Sequence, residues 1–122
     1  MAFLLVAAGG AAGSVLRYAV ALILAGATFP YATLLVNVVG CFLIGMALPS
    51  AERTPLLSHD LRLLVVVGFL GGFTTFSAFG HETIALIQGD QPVRAASYIL
   101  VSVLLGLVAV ACGRWLALRS FV

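Results

Sequence analysis

Charge is what this sequence has least of. Only 8% of its 122 residues are charged, there is no Lys, and six Arg stand against four acidic residues. A soluble domain has about a quarter charged residues, so this chain has too few to cover a surface that faces water. With 63% hydrophobic residues and a mean hydropathy of +1.23, the sequence predicts an integral membrane protein.

Several other absences exclude whole classes of function. A net charge of +2 without a basic run argues against a nucleic-acid partner. Cys41 and Cys112 show neither CxxC nor metal-ligand spacing, and we interpret them as small buried hydrophobic residues. His81-Glu82 is not part of HExxH because Ala85 occupies the second His position, and no GxSxG is present. We predict that the protein is not an enzyme.

The chain contains four long stretches that have almost no charge. A helix needs ~20 apolar residues to cross the hydrocarbon core, so each stretch is long enough for one span. The stretches are residues 2–27, with Arg17 as the one charge, and residues 31–50, 63–80 and 95–113. The sequence therefore predicts an all-α membrane protein with four transmembrane helices, one domain over residues 1–122, and both termini on one side. The first stretch has no positive region before it, so we expect it to be retained rather than cleaved as a signal peptide.

The connections hold most of the polar residues. The longest, from Ser50 to Leu61, is the main hydrophilic loop, and residues 88–92 form a turn between the third and fourth spans. The side with the termini has four Arg, against one or two on the opposite side. This weak bias favours the termini inside and is compatible with insertion in both orientations. The Arg on the terminal side are Arg53, Arg62, Arg114 and Arg119, and those opposite are Arg94 and, if it reaches that surface, Arg17.

Small residues recur every four positions within the spans. Such faces let membrane helices pack closely, and a chain this small needs a partner copy to enclose anything. The pairs are Gly9 and Gly13, Gly10 and Ser14, Gly68 and Gly72, and Ser102 and Gly106.

The third stretch has an unusual centre. Gly71-Gly72 is followed by Phe73 and then by Thr74-Thr75, and each Gly costs ~1 kcal/mol relative to Ala in a helix. A helix interrupted at this depth would free backbone groups that build ion sites in other membrane proteins. A continuous helix flexed by glycine and packed against a neighbour is the alternative.

Polar and aromatic residues accompany this centre. Asn37 lies within the second span, where an amide needs hydrogen bonds. Tyr98 and Ser102 share one face of the fourth span at i and i+4. Phe76 and Phe79 share a face at i and i+3. Two such rings pack in many cores, but their electropositive edges can also face an anion.

These residues carry a resemblance to a known family. The chain resembles the small bacterial fluoride channels of the CrcB or Fluc family, and the resemblance covers essentially its whole length. The matching blocks are residues 9–18 (GGAAGSVLRY), 33–42 (TLLVNVVGCF) and 68–79 (GFLGGFTTFSAF).

The resemblance implies an assembly and an activity. Two copies would form an antiparallel dual-topology homodimer in the bacterial inner membrane, with the third helix broken at Gly71–Thr75. Two pores would export fluoride passively. The sequence leaves open whether a second, related chain replaces one copy. A structural sodium ion would lie at the centre, held by the backbone carbonyls of Gly71 and Thr74 from each subunit. Four oxygens without a carboxylate suit a hard cation.

The resemblance also implies roles for individual side chains. Most would line the fluoride pore, and two would lie in the vestibules towards water. The pore residues would be Asn37, Phe76, Phe79, Ser77, Tyr98 and Ser102, and the vestibule residues would be Arg17 and Glu82. Ala78 stands where many relatives have Thr, and Gly106 continues the Tyr98–Ser102 spacing without a hydroxyl, so both make the pore less polar than the family pattern.

Two other functions remain as alternatives. A small four-span proton-coupled multidrug exporter also pairs in dual topology, but it needs a carboxylate within the membrane, and the first span has none. Glu82, at the end of the third span, is the one acidic residue nearby. In a non-transporting assembly subunit, Asn37 and the centre of the third span would serve packing alone.

Overall fold

The computed structural model describes residues 1–53 and 58–120, and every regular element among them is helical. The elements are α1 (Ala2–Ile23), α2 (Tyr31–Arg53), α3 (His59–Arg62), a π-helical segment (Leu63–Leu70), α4 (Gly71–Phe73), α5 (Phe76–Gln88) and α6 (Pro92–Arg119).

Four helical segments among the described residues are long and apolar enough to cross a membrane, as the sequence predicts. They are Ala2–Ile23, Tyr31–Ser50, His59–Gln88 and Pro92–Arg119. The third, called here the third span, runs from α3 to α5. The hydrophilic connection is shorter than predicted, because α2 continues to Arg53 and α3 begins at His59. Pro55, predicted to lie in it, falls outside the described residues.

The first and third spans pack with their backbones almost in contact. A Cβ on Gly9 would collide with the Leu64 carbonyl oxygen, and a Cβ on Gly13 would collide with that of Phe69. Later residues of α1 meet later residues of the third span, so the two run in the same direction. Close van der Waals contact of this kind holds helices together where lipid supplies no hydrophobic drive.

The second and fourth spans form an equivalent pair. A Cβ on Gly45 would collide with the Val110 carbonyl oxygen, and one on Gly113 would collide with that of Phe42. These two helices also run in the same direction. Neither Gly45 nor Gly113 belongs to the small-residue pairs predicted from spacing, although both approach the opposing backbone as closely as Gly9 and Gly13 do.

The two helix pairs meet at the centre of the third span. Helix α4 ends at Phe73 and α5 begins at Phe76. Between them Thr74 (φ −85°, ψ 156°) and Thr75 (φ −152°, ψ 122°) have extended backbone. The Thr75 hydroxyl then caps α5 by accepting a hydrogen bond from the Ala78 N–H at 3.2 Å. The Thr74 methyl lies so close to Gly40 of α2 that a Cβ there would collide with it.

Neighbouring glycines of α1 provide a test of this packing. Gly9→Ala should lower the free energy of unfolding by about 1–3 kcal/mol, because the added methyl has to displace a backbone carbonyl. In the matched control, Gly10→Ala, the added methyl would lie 3.8 Å from the nearest carbonyl, that of Gly68, which is ordinary contact. Thermal unfolding of the two purified variants in detergent measures the difference. Equal melting temperatures would contradict the close approach of α1 to the third span.

Candidate functional site

The extended residues Thr74 and Thr75 border a groove of about 410 Å³ between α2, the third span and α6. Among the described residues that line it, none carries a formal charge. They are Asn37, Gly40, Cys41, Ile44, Val66, Leu70, Gly71, Thr74, Thr75, Phe76, Phe79, Ser102 and Val103. The groove is therefore a largely apolar space with a few amide, hydroxyl and backbone groups in its wall.

The groove brings together part of the set of residues singled out in the sequence. Those that line it are Asn37, Gly71, Thr74, Phe76, Phe79 and Ser102, and those that lie elsewhere are Ser77, Tyr98, Arg17 and Glu82. Each member of the second group has its own hydrogen-bond partner, described below.

Asn37 replaces the missing helical partners of Thr75. Its Nδ2 donates to the Thr75 carbonyl oxygen at 2.9 Å, and its Oδ1 accepts from the Thr75 N–H at 2.8 Å. One side-chain amide thus satisfies both backbone groups of an extended residue inside a membrane-spanning segment, where an unpaired group costs several kcal/mol. Asn37 Nδ2 carries a second N–H, which remains available for another acceptor.

The same hydrogen bonds leave two backbone carbonyls without their helical donors. In a continuous helix the Thr75 N–H would bond to the Gly71 carbonyl, but it donates to Asn37 instead. The Ala78 N–H, which would serve the Thr74 carbonyl, donates to the Thr75 hydroxyl. Gly71 and Thr74 both line the groove. Carbonyl oxygens at a break of this kind are hard ligands that suit a sodium ion.

A third carbonyl at this level, that of Gly72, accepts hydrogen bonds from α1. Arg17 Nε donates to it at 3.1 Å, and the Ser14 hydroxyl lies 3.5 Å away. The half-buried Arg17 guanidinium is therefore attached to the backbone just before the extended residues. The sequence suggested a vestibule position for Arg17 but contained no indication of this bond, which joins residues 55 positions apart.

The two phenylalanines both line the groove but lie in different environments. Phe76 is 83% exposed, whereas Phe79 is half-buried. Their ring centroids are 5.5 Å apart, and the Phe79 ring lies 5.0 Å from that of Tyr98. Most of the Phe76 ring is therefore uncovered in the single chain.

Glu82 is held by two hydroxyl groups. Its Oε1 accepts from the Thr33 hydroxyl and its Oε2 from the Tyr98 hydroxyl, each at 2.7 Å. Thr33 is buried and Tyr98 has no exposed surface at all. Thr33 was not singled out in the sequence. Its position four residues before Asn37, on the same face of α2, was the available signal.

The hydroxyls of Ser102 and Ser77 differ in whether they have a hydrogen-bond partner. The Ser102 hydroxyl oxygen is inaccessible to solvent and has no hydrogen-bond partner among the described residues. The Ser77 hydroxyl, outside the groove, lies 3.2 Å from that of Thr75.

Gly106 is buried, and a Cβ there would lie 3.5 Å from the Cys41 sulfur. A larger side chain at Gly106 would therefore pack against Cys41.

The pairing of Asn37 with Thr75 can be tested by removing the amide. Asn37→Leu, which keeps a similar volume, leaves the Thr75 N–H and C=O without partners. It should lower the free energy of unfolding by about 2–4 kcal/mol, since each buried unsatisfied group costs about 1–3 kcal/mol. The control is Ser97→Ala, because the exposed Ser97 hydroxyl bonds only within its own helix, to the Val93 carbonyl. If both variants unfold at the wild-type temperature, Asn37 does not support the extended residues.

Comparison with known proteins identifies the family of this chain. The family model described as CrcB-like protein, Camphor Resistance (CrcB), matches residues 4–114. A protein of Rhizobium etli named fluoride-specific ion channel FluC is 53% identical over 113 residues, covering 90% of each chain. A protein of the same name from Geobacter sulfurreducens is 48% identical over 120 residues, covering 96% of this chain and 94% of its own.

A third relative, from Listeria innocua, is named fluoride-specific ion channel FluC 2. It is 48% identical over 114 residues, covering 93% of this chain and 88% of its own. The family model matches residues 4–114, a range that spans the positions of the extended residues, Asn37 and the phenylalanine pair. The chain belongs to the CrcB-like protein family.

Proposed function

We propose that this chain is a fluoride-selective channel that exports fluoride passively from the bacterial cytoplasm across the inner membrane. The observation that carries the proposal is the groove itself, in which Asn37, Ser102 and the phenylalanine pair line a membrane-embedded space without formal charge. The names of relatives about 50% identical to the chain support fluoride as the ion.

The chemistry of the groove suits a small, strongly hydrated anion. Fluoride accepts hydrogen bonds and loses its water only where donors replace it at close range. The second Nδ2–H of Asn37 is one such donor, and the ring edges of Phe76 and Phe79 add weak positive potential. The unpartnered Ser102 hydroxyl is buried and would become a second donor only after its side chain turns towards the groove. Because none of the described residues that line the groove carries a positive charge, the ion is not held too tightly to leave.

The side chains outside the groove have supporting roles in this proposal. Ser77 lies beside the pore with its hydroxyl near Thr75, and Tyr98 contacts Phe79. Glu82, which binds two hydroxyls, would lie in an approach to the pore. Arg17, predicted for a vestibule, bonds to the Gly72 carbonyl just before the extended residues and would support the framework there. The membrane potential would drive fluoride outward, after hydrogen fluoride has entered as a neutral acid and dissociated.

The groove needs a second copy of the chain to become a pore. It is open on one side, and Phe76 stands there with 83% of its surface exposed. An antiparallel homodimer would close each groove with the partner's surface and so form two pores. The small difference in Arg between the two sides is compatible with insertion in both orientations.

A structural sodium ion would hold the two copies at the centre. The Gly71 and Thr74 carbonyls of each chain would bind it, and they are suited to this because their helical donors are engaged elsewhere. The ion would supply positive charge between four carbonyl oxygens that otherwise repel each other. It would take no part in the movement of fluoride.

Fluoride efflux from liposomes tests the channel. Vesicles loaded with potassium fluoride should release it when an ionophore makes them permeable to potassium, and a fluoride electrode records the rate. Phe76→Ile should slow efflux roughly tenfold or more, since losing a contact worth about 1.4 kcal/mol changes a rate by that factor. Phe3→Ile is the matched control, because Phe3 is 92% exposed on α1, away from the groove.

The outcome of the efflux experiment distinguishes the channel from the exporter and from the assembly subunit. Wild-type vesicles that release no more fluoride than protein-free vesicles, with insertion verified, would exclude a channel and leave an assembly subunit. Release that requires a proton gradient would indicate a proton-coupled exporter. Its carboxylate would be that of Glu82, which accepts hydrogen bonds from two hydroxyls. Equal rates for Phe76→Ile and Phe3→Ile would assign the Phe76 ring to packing.

The sodium proposal has a separate test. Exchanging sodium for caesium, which is too large for the same oxygens, should lower the melting temperature and dissociate the dimer. Sodium at about 100 times its dissociation constant contributes about 2.7 kcal/mol. Cross-linking and thermal unfolding in sodium, caesium and choline chloride at equal ionic strength measure the effect. A dimer that is equally stable in all three salts contradicts a bound sodium ion.

A further inference from the structure

A phenylalanine in the connection between α1 and α2 lies against the fully buried tyrosine of α6. The ring centroids of Phe29 and Tyr98 are 5.4 Å apart with an interplanar angle of 81°, which is an edge-to-face contact. Phe29 is half-buried although it belongs to no helix. Its ring thus reaches from the end of the bundle into the space between the spans.

The local sequence fixes the backbone of Phe29. Gly26, with a positive φ of 90°, turns the chain after α1, and Pro30 restricts the residue before it to extended conformations. The Tyr31 N–H donates to the Phe29 carbonyl at 2.7 Å as α2 begins. The Tyr31 ring lies 4.9 Å from that of Phe29 on its other side. The connection between α1 and α2 therefore has a defined conformation that directs the Phe29 ring inwards.

Two aromatic rings border Tyr98. Phe79 contacts its ring at 5.0 Å and Phe29 at 5.4 Å, while its hydroxyl donates to Glu82 at 2.7 Å. A tyrosine side chain has two rotatable bonds, so packing against its ring decides where its hydroxyl lies. Phe79 belongs to the groove, and Phe29 supplies a ring contact from outside it.

We infer that Phe29 is a positioning residue of the ion path, whose ring holds the Tyr98 hydroxyl on Glu82. This inference rests on the proposed function, since the effect on ion movement has meaning only in a channel. Without the Phe29 ring, Tyr98 gains room to turn and its hydroxyl leaves Glu82. Phe29 itself touches neither the groove nor the ion.

Fluoride efflux from four variants tests the inference. Phe29→Leu should slow efflux roughly two- to tenfold, as expected for one aromatic contact. Phe29→Tyr keeps the ring and should stay within about twofold of the wild-type rate. Tyr98→Phe removes the hydroxyl that Phe29 positions and should also slow efflux. The double variant Phe29→Leu/Tyr98→Phe should be no slower than Tyr98→Phe alone, because nothing remains to be positioned.

Two results would overturn the inference. The first is an unchanged rate for Phe29→Leu, and the second is a double variant whose loss equals the product of the single losses. The second would mean that Phe29 acts on stability independently of the hydroxyl. If Phe29→Leu does not reconstitute, Phe29→Met takes its place, since it fills a similar volume without a ring.

A spectroscopic measurement separates this inference from the channel proposal. With Tyr18→Phe and Tyr31→Phe as background, Tyr98 is the one remaining tyrosine, and 3-fluorotyrosine labels it alone. Its fluorine resonance should shift when Phe29→Leu is added, and an unchanged resonance would remove the contact. Should the wild-type protein release no fluoride, the proposed function fails, while this spectrum still decides whether Phe29 positions Tyr98.

Discussion

The need to satisfy the backbone of Thr75 inside the membrane governs the arrangement of this protein. Lipid offers no hydrogen bonds, so an extended residue within a span has to find its partners in neighbouring helices. Asn37 provides both through one amide. This pairing fixes α2 against the third span, and the close contact of Gly40 with Thr74 follows at the same level.

The few charged side chains near the groove form hydrogen bonds outside it and do not line it. Arg17 bonds to the Gly72 carbonyl, and Glu82 binds the hydroxyls of Thr33 and Tyr98. Both act on the framework around the groove, whose lining among the described residues stays neutral. In the proposed channel, this separation leaves hydroxyl, amide and ring edge to contact the anion. The scarcity of charge in the sequence is then part of how the ion is selected and released.

Aromatic contacts link the end of the bundle to its centre. Neighbouring rings follow one another from Tyr31 through Phe29, Tyr98 and Phe79 to Phe76, with centroid separations of 4.9 to 5.5 Å. The loop at one membrane surface is thereby in contact with the residue at the open side of the groove. Tyr98 is fully buried and Phe29 and Phe79 are half-buried, so the middle of this chain of contacts is packed and has few alternative positions, while its two ends are exposed.

The sequence alone determined the features that depend on local composition and spacing. Uncharged stretches of sufficient length predicted four spans, and Gly9 with Gly13 predicted a face for close packing. The Gly71–Thr75 composition marked the region in which Thr74 and Thr75 are extended. The tertiary structure decided that Arg17 meets Gly72, that Thr33 shares Glu82 with Tyr98, and that Gly45 and Gly113 contact the opposing helix. These contacts join residues far apart in the chain, and they depend on the axial register and rotation of one helix against another. That register is set by how whole helix surfaces fit together, which no short stretch of sequence specifies.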